Sequence, residues 1–325
     1  MSFLLFFFLS LHCLFAIEQN TDFLKLILEP DSLVVSNFPE KVAGPGFIGD
    51  FLLDMPSIRF IYHHENIYFK KLKFFAVIKN KTNQNQSFTF FQGLGGPSSD
   101  FVYSGYRSAL LFWRDLLGGG QRVLLGPFES KVLISHLIAP AQAISGLLKL
   151  TDYLPDSLML SLFFLDHEYP SLLPKQKPQL NNYFQHVLLK RAYLSSYFFY
   201  RCGDGLETIQ IGGRPFLKDH MSDFSLQGNY GVIYSISLVL KNPYPKAVSV
   251  QLLKGPLGLG VHRGVFLIDG NLYSSGVTNR DHDYYYLEKI AQFYLKPFSS
   301  RRVQIYTMPI SGGIYPIELM LRCIR

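Results

Sequence analysis

The chain is expected to fold as a mainly β protein: two tandem antiparallel β-sandwich domains, Ig-like or jelly-roll-like, with one connecting helix. Three observations predict this. Apolar residues alternate with period two in short runs, bounded by Gly, Pro and Asn at the spacing of sandwich turns. Strand formers dominate, with 29 Phe and 20 Tyr in a chain that is 48% hydrophobic, a content that also excludes a disordered polymer. Finally, a strand–turn–strand unit recurs. Phe74 to Gly93 superposes on Ile236 to Gly255 at a constant offset of 162, placing Val77 on Val239, Lys79 on Lys241, Asn80 on Asn242, Ser87 on Ser249 and Gly93 on Gly255. Leu124 to Pro140 has a partner in Tyr294 to Pro309, in which Pro127, Phe128 and Ser130 fall on Pro297, Phe298 and Ser300 at an offset of 170. A length of 325 residues suits two domains. A closed barrel is the rival architecture.

The first stretch, Ser2 to Ala16, carries no charged side chain, and its apolar run is shorter than a helix needs to span a bilayer of about 30 Å. It reads as a signal peptide over residues 1–16, cleaved near Ala16, with a retained anchor as the alternative. No later run is long and apolar enough to span, so the expectation is no stable membrane span after cleavage. From Asp22 the run F-L-K-L-I-L-E-P-D-S-L-V-V reads as a first strand, broken at Pro30 and Asp31. Ser36 to Ile48, with Pro39, Gly44, Pro45 and Gly46, is irregular and edge-like. Ile58 to Tyr62 is a short strand ending in His63-His64-Glu65. The first hairpin copy follows, then a Gly, Pro and Ser loop from Gly93 to Gly105, a short helical stretch around Ala109 to Leu117, and a stop at Gly118-Gly119-Gly120.

Residues 17–168 are assigned to an N-terminal sandwich and 201–325 to a C-terminal one. Between them, 169–200 holds a Pro-rich linker, Glu168 to Lys177, and a helix over Leu180 to Tyr200, where Leu180, Phe184, Val187, Leu188 and Arg191 fit a 3.6-residue period.

Several stretches resemble a family of exported proteins best represented in cyanobacteria and known as a domain of unknown function. They are Ser36-Asn37-Phe38-Pro39-Glu40-Lys41-Val42 with Gly46-Phe47-Ile48; Tyr62-His63-His64; Arg114-Asp115-Leu116-Leu117 with Gly120-Gln121-Arg122; and Gly228-Asn229-Tyr230-Gly231-Val232 with Tyr234. The family's first-hairpin Asn-Pro turn is Asn80-Lys81 here, and its long Pro-rich insertions are shortened. The resemblance implies export and a two-part β architecture, and supplies no catalytic residue.

The candidate chemistry is sparse. His63, His64 and Glu65 are the candidate metal ligands; in a strand His63 and Glu65 share a face while His64 points away, so further ligands must come from elsewhere. Asp166-His167-Glu168 and Arg280-Asp281-His282-Asp283 repeat the theme, and polar strand ends are the bland reading of all three. Asp204, Asp219 or Asp223 with Glu207 form conceivable acid–base pairs in loops. Phosphate-loop, nucleophile-elbow and zinc-helix motifs do not occur. Arg107, Trp113, Arg114 and Arg122, with Tyr284 and Tyr285, make the candidate binding surface, since aromatics interleaved with arginine suit stacking on sugars; ordinary amphipathic packing competes with this. Cys202 and Cys323 either pair in an oxidising compartment or sit buried as free thiols. Asn80-Lys81-Thr82 and Asn85-Gln86-Ser87 match the glycan acceptor pattern.

The net charge of +7 comes from scattered Lys and Arg, which argues against nucleic acid and leaves polysaccharide or lipid headgroups as anionic partners. The expected function is therefore an exported, non-enzymatic binding or structural module contacting wall polysaccharide or an envelope protein, with no cofactor. The rivals are a metal-dependent hydrolase using His63, His64 or the Asp281–Asp283 loop, and a membrane-tethered assembly subunit.

Overall fold

The computed structural model describes residues 31–38, 40–166, 185–220, 222–281 and 284–324. The signal-peptide assignment at 1–16, the linker Glu168 to Lys177, His167 and His282 lie outside them.

The chain forms β1 (Ser32–Phe38), β2 (Lys41–Val42), β3 (Gly46–Leu52), β4 (Ser57–Asn66), β5 (Leu72–Asn80), β6 (Gln86–Ser98), α1 (Phe101–Leu117), β7 (Gln121–Leu125), β8 (Ser130–Ile138), β9 (Ala143–Thr151), β10 (Leu158–Leu165) and β11 (Gln185–Lys190). The second half continues with β12 (Tyr193–Arg201), β13 (Glu207–Ile211), β14 (Ile233–Lys241), β15 (Val248–Pro256), β16 (Gly260–His262), β17 (Val265–Ile268), β18 (Asn271–Ser274), β19 (Thr278–Asp281), β20 (Tyr284–Tyr285), β21 (Glu288–Leu295), β22 (Ser300–Thr307) and β23 (Ile317–Ile324). The protein is mainly β, and its sheets stack as sandwiches rather than closing into a barrel.

The two halves repeat strand for strand. One sheet runs β1-β4-β9-β6-β7 in the first half and β12-β14-β22-β17-β18 in the second; the facing sheets run β3-β10-β5-β8 and β13-β23-β15-β21. The same exception recurs: β1 is parallel to β4, and β12 is parallel to β14. Among the described residues β2, which pairs with β4, and β11, which pairs with β1, have no counterpart in the second half, and two insertions also break the likeness. Helix α1 is inserted between β6 and β7, where the second half has only the Asp269-Gly270 turn between β17 and β18. A three-stranded sheet, β16-β19-β20, is inserted in the second half.

The structure corrects the register of the repeat. The topology equates β4–β5 with β14–β15, not β5–β6, so Asn66-Ile67-Tyr68-Phe69-Lys70 matches Asn242-Pro243-Tyr244-Pro245-Lys246 at an offset of 176. The shifted match has a physical cause, because one corner motif occurs three times. Asn66 and Asn80 end β4 and β5 and Asn242 directly follows β14, each with a buried side chain. Their Oδ1 atoms accept the N–H two residues on, from Tyr68, Thr82 and Tyr244. Their Nδ2 groups donate four residues on, to the carbonyls of Lys70, Gln84 and Lys246, and across to Ile138, Gly126 and Lys296. Each faces a turn in which Pro precedes a residue of positive φ: Ala141 at 60°, Phe128 at 56° and Phe298 at 51°. Matching the second corner to the third displaced the alignment by one strand.

The connecting helix over Leu180 to Tyr200 is also corrected. Residues 185–190 and 193–201 are strands, split by Arg191 at φ 60°. β12 pairs with β14 over nine residues, and this ladder outweighs the local 3.6-residue period. The helix belongs instead to Phe101–Leu117, opened by Asp100, whose side chain accepts the Tyr103 N–H.

The sandwich core of the first half includes Phe60, Tyr62, Phe74, Phe88 and Leu148. The outer face of its β4–β9–β6 sheet is buried too. Leu33, Ile61, Phe91 and Leu147 join Tyr106, Phe112 and Trp113 of α1 in one apolar cluster with Ile233, Leu238, Phe266 and Ile305 of the second half. Cys202 and Cys323 are disulfide-bonded with Cα atoms 5.4 Å apart, tying the end of β12 to β23.

Candidate functional site

Helix α1 lies flat on β6 because that strand offers glycines beneath it. A Cβ at Gly93 would come within 1.9 Å of the Ser108 carbonyl, and one at Gly95 within 1.8 Å of the Ser104 carbonyl. The inward face buries Ala109, Phe112, Trp113 and Leu116. Tyr103, Arg107 and Arg114 are exposed, and the seven-residue spacing of the two arginines puts them on one helix face. Beside them an open groove of about 400 Å³ is lined by Gln92, Leu94, Leu111, Arg114 and Asp115. The Asp115 carboxylate accepts the Gln92 N–H at 2.7 Å and fastens the helix to the groove floor.

Of the sequence-derived binding residues, Arg107 and Arg114 therefore share a surface. Arg122 is exposed on the edge strand β7 and donates to Ser87 Oγ at 2.7 Å. Trp113 is a correction: its side chain is fully buried on the opposite side of the helix and cannot touch a ligand. Tyr284 and Tyr285 form β20, which pairs with β19 in the inserted sheet.

His63, His64 and Glu65 are not gathered round one point. His63 is directed toward α1, 2.6 Å from Ser145 Oγ through Nδ1. His64 enters the sandwich core, with Nε2 3.2 Å from Ser36 Oγ and its ring edge-on to Phe164. Among the described residues no group of three or more His, Cys, Asp or Glu side chains is placed to hold a metal ion. In the loops, the Asp219 carboxylate accepts the Leu188 N–H at 2.8 Å and the Ser222 hydroxyl at 2.6 Å, so it ties its loop to β11.

Two polar clusters border the seam between the halves. In the first, Ser104 Oγ donates to Ser145 Oγ at 3.0 Å, Ser145 meets His63, and His63 Nε2 stands 3.2 Å from Glu40. The imidazole holds the Glu40 carboxyl below the usual carboxylate range. Hydroxyl, imidazole and carboxylate stand in the order of a nucleophile, its base and an orienting acid. Yet Ser145 and Ser104 are both buried, and only Glu40 reaches solvent. With the seam closed no acyl group reaches Ser145 Oγ, and the chain of contacts forms a polar strut between β4, β9 and α1.

In the second cluster, the fully buried Lys254 donates to Ser275 Oγ at 2.7 Å and the Gly276 carbonyl at 3.2 Å, and pairs with Glu288 at 3.2 Å. Burial lowers the Lys254 pKa to about 8, against the opposing effect of Glu288. Nearby, His262 Nε2 lies 2.9 Å from the Tyr315 hydroxyl, and burial with the Lys254 charge depresses the His262 pKa well below its ordinary value. Arg263 closes the seam, its guanidinium 3.6 Å above the Tyr106 ring of α1. Sequence reasoning missed this cluster. Its one local signal is Lys254 inside the apolar run Val250-Gln251-Leu252-Leu253-Lys254, where a cation needs an internal partner.

No family model matches the chain, and no curated protein matches it in sequence. Solved structures give distant likenesses. The pre-peptidase C-terminal domain of a Bacillus anthracis collagenase is 10% identical, covering 42% of this chain and all of that one, with a TM-score of 0.20. The PBSX exported protein XepA is 9% identical over 87% of this chain and 88% of its own, with a TM-score of 0.19. The CBM22 tandem of Paenibacillus barcinonensis Xyn10C is 8% identical over 86% and 90%, with a TM-score of 0.15.

Proposed function

We propose that the chain is an exported, non-enzymatic binding module of the cell envelope, working in the periplasm or at the cell surface, like the exported family its motifs resemble. The observation that carries this reading is the contrast between two surfaces. Helix α1 stands outside its sandwich and presents Tyr103, Arg107 and Arg114 beside an open groove. The acid–base side chains, by contrast, are spent on bracing the interior, with Ser145, His63, Lys254 and His262 all buried. A flat aromatic ring with two planar cations suits an acidic polysaccharide, through stacking and forked hydrogen bonds. The disulfide supports an oxidising compartment, and the formal charge of +7 favours an anionic partner.

The test is retention of purified protein on insoluble acidic wall polysaccharide. Binding is expected at low salt, weakened at least tenfold in Arg107→Glu/Arg114→Glu and lost as salt screens the contacts. Retention that ignores both the double substitution and salt overturns the reading; recovery of an envelope protein in place of glycan moves the partner to protein.

The His63–Ser145 contact favours one alternative, a serine hydrolase that opens at the seam. A fluorophosphonate probe that labels Ser145 in the folded protein would establish it; an unlabelled Ser145 excludes it.

A further inference from the structure

We infer that a cleft in the second half, into which Tyr234 and Arg214 present their donors, is a binding site for one acidic sugar ring, a hexuronate. The cleft measures about 260 Å³ and is lined by β12 of one sheet, β13 of the facing sheet and the turn at Gly213, Arg214 and Pro215. That volume is just under the ~300 Å³ at which pockets for drug-sized ligands begin, so it suits a single ring. None of its lining residues belongs to the α1 groove.

The observation that points to a ligand is the hydroxyl proton of Tyr234. This residue of β14 is 8% exposed and lines the cleft. Its hydroxyl oxygen accepts the Gly212 N–H at 3.0 Å and an Asn229 Nδ2 hydrogen at 2.9 Å. An amide nitrogen offers no lone pair, so neither neighbour can take the phenol's own proton, and it has no acceptor among the described residues. Burial raises the Tyr234 pKa, which keeps that proton in place. A buried donor left unmet is costly, and an acceptor carried in by a ligand removes the cost.

The surrounding loop is fixed before any ligand arrives. Asn229 is fully buried; its Oδ1 accepts the Leu217 N–H at 2.9 Å, and its Nδ2 donates to the carbonyls of Gly213 at 3.2 Å and Pro215 at 3.1 Å. Gly212 turns the chain at φ 74°, where an added Cβ would lie 2.8 Å from the Gly228 carbonyl. Asn229 and Tyr234 both come from the Gly228–Tyr234 stretch, so one short run of sequence supplies the free proton and clamps the loop that carries Arg214.

The rest of the lining selects the class of ligand. Leu194, Phe198 and Ile209 give an apolar wall for the C–H face of a sugar ring. Ser196 and Gln210 can each donate and accept, as ring hydroxyls require. Gln210 is held close against the loop, since a Cβ on Gly213 would come within 2.7 Å of its Oε1. Arg214 is exposed, with its guanidinium 5.8 Å from the centre of the Phe216 ring, and supplies the fork that pairs with a carboxylate. No Asp or Glu lines the cleft among the described residues, so its own walls do not repel an anion.

The test titrates the full chain with glucuronate and galacturonate, their neutral parents glucose and galactose, and acetate, each followed by ligand-observed NMR. At least one uronate should bind at least tenfold more tightly than its parent and than acetate, and Arg214→Gln should remove that advantage. Tyr234→Phe keeps the ring and loses the proton; it should weaken the uronate at least fivefold with the far-ultraviolet circular dichroism unchanged. Arg214 is exposed, so its variant decides the matter should Tyr234→Phe fail to fold. Arg107→Glu/Arg114→Glu should leave the affinity as it is, so this site and the α1 groove can fail separately. The inference is overturned if no uronate binds, if a neutral sugar or acetate binds as well, if Arg214→Gln binds like the wild type, or if the double α1 substitution is the one that abolishes binding.

Discussion

Arg59 sits at the crossing of the two halves with no solvent exposure. Its guanidinium binds both Asp31 oxygens, and its remaining donors reach the Gly231 carbonyl at 2.7 Å and the Ala192 carbonyl at 2.9 Å. Lys149 adds a second cation 3.5 Å from Asp31. Replacing Arg59 by Leu removes the closest partners of the Asp31 carboxylate, leaving it Lys149, and takes the donor from the Gly231 carbonyl, so destabilisation of roughly 3–5 kcal/mol is expected in urea titration. Gly105 is a second position where one residue joins the halves. A Cβ there would lie 1.6 Å from the Ser311 carbonyl, backbone that cannot swing aside. Gly105→Ala should therefore cost roughly 1–3 kcal/mol despite its better helix propensity, measured the same way. Lys254 makes a prediction about pH. Its pKa falls from 10.5 to about 8 on folding, because burial disfavours the ammonium. Between these values the unfolded chain holds a proton that the folded protein has released, so stability rises with pH across that window; below about 8 the cost of burying the charge is fully present. Relative to Lys254→Met, the wild type should gain unfolding free energy between pH of about 8 and 10, since the tyrosines are common to both proteins and cancel. A flat difference would show that the buried amine does not titrate there.

The Asn corners show how an element depends on one amide. Asn242→Ala would leave the carbonyls of Lys246 and Lys296 and the N–H of Tyr244 without their partner. A loss of roughly 2–4 kcal/mol in chemical denaturation is expected. Asn242→Asp should cost as much at neutral pH, because a carboxylate oxygen would then face two carbonyls. Asn80 makes the same contacts from a buried position, so its amide cannot take a glycan although the acceptor pattern is present; Asn85 is exposed. These corners also explain what could be read from the chain. Alternation revealed the strands because it records burial of one face. The duplication was visible because an Asn and a Pro turn must recur wherever the sandwich turns the same corner. Which corner matched which was not visible, since only the pairing of strands far apart in the chain distinguishes them. The stretch Leu180 to Tyr200 misled for a related reason: Val187, Leu188 and Arg191 fit a helical period, but the ladder from Tyr193 to Arg201 is made by β14, forty residues away. The contact between His63 and Ser145 was equally invisible, being set by the register of β4 on β9 across 82 residues.

At the scale of the whole molecule, the question is whether two sandwiches behave as one. The apolar cluster around α1 runs without a break from Leu33 and Phe91 to Phe266 and Ile305, so neither half can unfold without exposing a face of the other. The single tryptophan, Trp113, lies fully buried in that cluster and reports on it. The disulfide lies wholly in the second half, joining residues 121 apart, and its loss removes a constraint on the unfolded chain that is worth roughly 2–5 kcal/mol. If the halves are energetically fused, this loss is felt by Trp113, which belongs to the other half. Cys202→Ser/Cys323→Ser should therefore lower the midpoint of the Trp113 fluorescence transition and of the far-ultraviolet circular dichroism transition together, leaving the two coincident. Independent halves would behave otherwise: the dichroism would become biphasic, and the fluorescence midpoint would stay where it was. Coincidence would mean that the seam, with Arg59 and Arg263 bridging it, binds the repeats as firmly as either sandwich binds its own two sheets.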